Sequence, residues 1–97
     1  MQFLVVNRRN VESFSETQLA EKIPIQVRRV QELYTEDFIR QIWHRGDRPG
    51  GVMLVEADTE ATARSILNTL PMVQAGMVEV AMVIPLRPFA GFGPSSA

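Results

Sequence analysis

Phe38-Ile39-Arg40-Gln41-Ile42-Trp43-His44-Arg45, then Gly46-Asp47-Arg48-Pro49-Gly50-Gly51, then Val52-Met53-Leu54-Val55: this stretch decides the fold. Its two ends are short and rich in apolar, β-branched and aromatic residues, which reads as strand. Its middle gathers Gly, Asp and Pro, the residues that punctuate a chain. The whole reads as a β-hairpin with a loop longer than two residues, residues 38–45 and 52–55 being its strands.

Working outward on the amino-terminal side, residues 3–6 form a continuous apolar run and read as a buried strand. Ser15-Glu16-Thr17-Gln18 has the spacing of a capping box, with Ser15 as N-cap and Gln18 reaching back. Leu19, Ile23, Val27, Val30 and Tyr34 follow at helical intervals and make one apolar stripe. Pro24 interrupts it, which predicts a kink or two abutting helices. On the carboxyl-terminal side, Asp58 or Thr59 caps a second helix running through Leu70. Its buried face is Ala63, Ile66, Leu67 and Leu70, and Pro71 stops it. Residues 78–84 are a fourth strand, with Pro85 at an edge or strand end.

The order β-α-β-β-α-β is that of a ferredoxin-like α+β fold, a four-stranded antiparallel sheet with both helices on one face. Right-handed crossovers put the first and third strands in the centre. Residues 1–88 form a single domain. Residues 89–97 are a Gly-, Pro- and Ser-rich tail. Its Phe89 and Phe92 either dock on a neighbouring subunit or fray, and residues 94–97 are expected to fray.

The strands do not alternate cleanly between apolar and polar, as a sheet with one wet face should. Val52 and Leu54 share one face, Met53 and Val55 the other. In the fourth strand Val78, Val80, Met82 and Ile84 oppose Ala81 and Val83. Two helices cover one face only, and monomers avoid large apolar patches. A two-fold homodimer is the expected remedy.

Composition removes several function classes. The chain has 97 residues, 45% of them hydrophobic, and a net charge of -1. No basic cluster suggests nucleic acid or an anionic membrane. The aromatic platform of an RNA-binding sheet is also missing: the third strand has no aromatic and the first only Phe3. No apolar run approaches the ~20 residues that cross a bilayer, and the start lacks a signal-peptide layout. There is no cysteine and one histidine, so neither thiolate chemistry nor a recognisable metal-ligand set is expected. These features lead us to expect a cytoplasmic protein.

Arg40-Gln41-Ile42-Trp43, the following turn, residues 52–57 and Leu70-Pro71 resemble the muconolactone isomerase family. The likeness runs from about residue 27 to 88. It implies a dimeric α+β barrel, able to assemble further into ring-like decamers. It also implies proton transfer within an unsaturated lactone, without metal or organic cofactor. The chain departs from the family at Gln41, where the characterised enzymes carry a histidine. It departs again at Arg48-Pro49-Gly50, which replaces a His- and Tyr-containing stretch. These differences extend the expected substrates to other small organic acids. A cofactor-independent monooxygenase, or a binding or assembly domain without catalysis, are the rival readings.

An allylic proton shift needs a base and a group that stabilises the dienolate. His44 is the base candidate because it is the only histidine, the residue type suited to general acid–base work; otherwise it is a solvated strand end. Glu56 and Glu79 are rival bases, or ordinary exposed carboxylates. Arg40 is the candidate carboxylate anchor, or else pairs with Glu56 or Glu79. Parity puts it on one face with His44, about 13 Å away along an extended strand. Trp43 has the opposite parity and is either core under the helices or a pocket wall. Tyr34 lies on the inward stripe of the first helix, its hydroxyl meeting a buried partner or ligand, or water at the helix end.

Overall fold

The computed structural model describes residues 1–92. In chain order the elements are β1 (Gln2–Arg9), α1 (Glu16–Thr35), β2 (Ile39–His44), β3 (Gly51–Glu56), α2 (Glu60–Leu67), α3 (Pro71–Gln74) and β4 (Val78–Leu86). The strands form an antiparallel sheet in the order β2-β3-β1-β4. The first and third strands are central, and the fold is ferredoxin-like α+β.

β1 is longer than its apolar run. Asn7, Arg8 and Arg9 pair with Val80, Glu79 and Val78 of β4, so three polar residues continue the strand. Side chains alternate along a strand, which sets Phe3, Val5, Asn7 and Arg9 on one face. Phe3 and Val5 are fully buried there with Met53, Val55, Ile39 and Val83, under Leu33, Ala63, Leu67 and Leu70 from the helical side. A second cluster of Leu19, Met72, Met77 and Val78 closes the other end of the helical layer.

Both bonds of the Ser15–Gln18 capping box form, at 2.8 and 3.1 Å. From there α1 runs as one helix through Pro24, not as two. Its buried residues are Leu19 and Leu33. The expected stripe ended on Tyr34, but a 3.6-residue period allows a step of three as well as four. Stepping three from Val30 reaches Leu33, and Tyr34 is left 62% exposed.

The second helix differs from expectation in where it ends. Its cap is as expected: Thr59, one of the two candidates, accepts from the Thr62 amide at 3.1 Å. α2 ends at Leu67, and Pro71 opens the short α3 at its first position instead of stopping a longer helix. Proline suits that position because the first-turn amides of a helix have no intrahelical partner. Leu70 stays fully buried even though it lies outside α2.

β4 carries a register shift opposite the Val6–Asn7 step. Consequently Val78 and Val80 share the helical face with Val83, and only Met82 and Ile84 turn to the other. This corrects the strict alternation expected for residues 78–84, because an extra residue in one strand resets parity. Pro85 sits in the ladder opposite Phe3 on an edge strand, where its missing N–H is tolerated.

The face away from the helices is crossed by two rows in register. One runs Trp43, Val52, Val6, Met82; the next runs Gln41, Leu54, Leu4, Ile84. Trp43 and Met82, at the row ends, are 51% and 49% exposed. After β4, Phe89 and Phe92 form a turn with ring centroids 5.9 Å apart, and both are exposed. The expectation for residues 94–97 lies outside the described residues.

Candidate active site

A cavity of about 470 Å³ opens between α1, the start of α3 and the helical face of the sheet. Its walls are mainly aliphatic, from Ile23, Val27 and Val30 of α1 and from Ile42, Met53 and Met72 opposite. Such a cavity is of the size that takes a small organic molecule. Its polar groups are few: Asn7, Arg9, His44, Gln26 and Gln31. Among the described residues no carboxylate lines it.

The sheet register brings three of these polar groups together. Asn7 and Arg9 are alternate residues of β1, with Cα atoms about 7 Å apart. His44 ends β2 and pairs with Gly51 of β3, the strand between it and β1. Two strand spacings make about 10 Å between the backbones of β2 and β1. Gly51 places no side chain in that gap.

Gly50 brings the hairpin against β1. A Cβ at Gly50 would stand 2.3 Å from the Asn7 carbonyl oxygen, and its φ is +148°. Only glycine accepts both the approach and the backbone angle. The hairpin is tied down by Arg45, which donates to the same Asn7 carbonyl at 3.1 Å and twice to Asp47, at 2.9 and 2.8 Å. The hydrogen bond from Arg45 holds the Asp47 carboxyl at about 2, below its ordinary 3.8. The Arg9 amide adds a bond to the Pro49 carbonyl at 3.1 Å. On the helical wall, Gln26 accepts from the Met72 amide at 2.9 Å and fixes α3 to α1.

Asn7 is 6% exposed, a buried polar residue in the core layer. Its Oδ1 has no hydrogen-bond donor, and the Nε of Arg9 has no acceptor, among the described residues. Each unpaired buried group forgoes roughly 1–3 kcal/mol. No ion pair is recorded for Arg9 among the described residues, whereas Arg8, on the opposite face, is bonded to Glu12 and Glu79.

The expected site residues are distributed unevenly. His44 and Trp43 line the cavity. Trp43 nevertheless pairs with Val52, on the face away from the helices, and is half exposed, so it is not core beneath them. Arg40 lies outside, in an irregular step between Ile39 and Gln41, 4.0 Å from Asp37. That step breaks the parity expected to pair Arg40 with His44, and neither Glu56 nor Glu79 is its partner. Glu56 accepts from the amino terminus at 3.0 Å, and Glu79 meets Arg8 at 3.3 Å. Tyr34 is outside as well, exposed at the end of α1. Sequence reasoning missed Asn7 and Arg9. The signal was their parity with Phe3 and Val5, legible once β1 is carried past Val6.

The match to known proteins covers this whole framework. A family model described as the YCII-related domain matches residues 1–87. The chain belongs to that family. No curated protein matches this YCII-related domain. One similar solved structure is 5-chloro-2-hydroxyhydroquinone dehydrochlorinase (TftG) from Burkholderia phenoliruptrix AC1100, in complex with 2,5-dihydroxybenzoquinone. The likeness covers 96% of this chain and 100% of that one, with a TM-score of 0.74 and 15% identity. At that identity it establishes the shared fold of the YCII-related domain. No helix among the described residues is long and apolar enough to cross a membrane.

Proposed function

We propose that this YCII-related domain is a cofactor-free, isomerase-like protein. It acts by proton transfer on a small unsaturated lactone or aromatic acid, and it works as a homodimer. The observation that carries the reading is that His44 shares one largely aliphatic cavity with Arg9 and Asn7. The resemblance of residues 27–88 to muconolactone isomerases points the same way. The ring-sized ligand named for the dehydrochlorinase is also compatible with a cavity of about 470 Å³.

In this reading the His44 imidazole removes a proton from a ring carbon next to a conjugated carbonyl. The C–H electron pair moves into the ring and the double bond shifts. The same proton returns to a different carbon, so the reaction needs neither oxidant nor reductant. Arg9 holds the anionic end of the substrate and opposes the charge that builds as the proton leaves. The aliphatic walls lower the polarity around that contact, although Ile23, Val27, Ile42 and His44 remain partly open to solvent. Homodimer formation covers the two apolar rows on the other face of the sheet.

The test is solvent exchange. A panel of unsaturated lactones and aromatic acids is incubated with the protein in deuterated water, and ring protons are followed by NMR. Exchange with one of them is expected, together with its loss in His44→Ala and its retention in Glu56→Gln and Glu79→Gln. Exchange at the buffer rate across the panel removes the reading.

A further inference from the structure

The cavity's polar end has a pattern of its own. Arg9 supplies a guanidinium whose Nε lacks an acceptor, and Asn7 supplies an amide whose Oδ1 lacks a donor. Both line the same cavity from one strand face, two residues apart. They ask for opposite things: Arg9 for an acceptor oxygen, Asn7 for an O–H or N–H. Among the described residues nothing meets either atom, although His44, Gln26 and Gln31 line the same cavity. Asn7 is also held in place. Its carbonyl is fixed by Arg45, and the turn at Gly50 presses on the same atom. Only its side-chain amide is left to turn, about a terminal torsion that is soft.

We propose that Arg9 and Asn7 form a specificity pair for a hydroxylated organic anion. The charged oxygen of the ligand meets Arg9, and a hydroxyl further along the same edge donates to Asn7. The spacing of about 7 Å between the two Cα atoms suits groups separated by a few ring atoms, not one atom. Neutral rings, and acids without a hydroxyl, leave one partner of the pair unmet. The inference deepens the proposed function and rests on its reading of this cavity as the ligand site. It does not depend on any reaction taking place there.

The experiment therefore uses probes that cannot isomerise. The full chain is titrated calorimetrically with 3-hydroxybenzoate, benzoate and 3-hydroxybenzamide. 3-Hydroxybenzoate is expected to bind tightest, with the other two weaker by at least about fivefold. Arg9→Met is expected to abolish the advantage of 3-hydroxybenzoate over 3-hydroxybenzamide. Asn7→Leu is expected to abolish its advantage over benzoate while leaving benzoate bound. NMR of the unmutated protein guards against variants that fail to fold: the Arg9 Nε–H and Asn7 side-chain amide resonances must shift with 3-hydroxybenzoate. Equal affinities for all three probes, no binding of any, or shifts confined to other residues overturn the pair. Binding without solvent exchange on the lactone panel removes the isomerase reading alone.

Discussion

Gly51 of β3 stands directly opposite His44 of β2, and both line the cavity. The glycine leaves the space beside the imidazole open towards β1. A side chain there would occupy the floor of the pocket. Gly51→Val is expected to keep the sheet, since valine suits a strand. A Cβ at this position would sit 3.2 Å from the Trp43 carbonyl oxygen, a contact that a small shift relieves. Affinity for 3-hydroxybenzoate should fall about tenfold or more, a loss of roughly 1.4 kcal/mol. Calorimetry beside a far-ultraviolet dichroism spectrum checks both halves. An unchanged affinity means that ligands bind elsewhere.

Gly50→Ala should behave differently, because its cost is structural. The added Cβ meets backbone, the Asn7 carbonyl, and φ is +148°. Backbone strain of this kind is worth about 1–3 kcal/mol before the steric clash is counted. The midpoint of thermal unfolding should drop by about 10 °C or more. A drop of a degree or two contradicts the close approach.

Acid should loosen the hairpin through Asp47. Its carboxyl lies at about 2 in the folded protein against an ordinary 3.8. A depressed carboxyl stabilises the fold above its unfolded value and loses that contribution as pH falls through the folded one. The stabilisation by Asp47 is therefore complete above about pH 5 and fades towards pH 2. Melting curves of wild type and Asp47→Asn should differ at pH 5 to 7, and the gap should narrow between pH 4 and 2. Asp47 is exposed, so the gap should also shrink with added salt. A gap that is constant with pH assigns the difference to something other than this carboxylate.

The homodimer is tested on the face away from the helices. The wild-type chain should sediment at twice its mass of 10.9 kDa. Leu54→Arg, in the middle of an apolar row, should sediment as a monomer with its helical content intact. Tyr34→Ser, on the exposed end of α1, should leave the dimer unchanged. A wild-type monomer at micromolar concentration removes this part of the proposal.

Much of the fold was legible locally. The capping box at Ser15 and Gln18, the turn-rich stretch at 46–51 and the short apolar runs each report on a few neighbouring residues. Local chemistry is enough to place such elements. The misreadings share a cause. Pro71 by residue type reads as a helix stop, whereas the ends of helices depend on where the chain is drawn into the core. Tyr34 and Leu33 are equally allowed by helical period, and contact with the sheet chose Leu33. The site was less legible still. His44 stands out by its chemistry, but Arg9 goes unseen when the first strand is ended at Val6, before its first polar residue.

The sequence alone determined the order of the four strands and two main helices, the ferredoxin-like topology and the two apolar faces of the sheet, as well as the single histidine. Tertiary structure alone decided which polar side chains share a cavity. Strand parity survives only until a register shift, and those at Arg40 and Ala81 lie where two strands meet. Pairing across strands is a long-range choice, set by how faces pack together. That choice sent Arg40, Glu56 and Glu79 away from His44, and brought Asn7 and Arg9 to it.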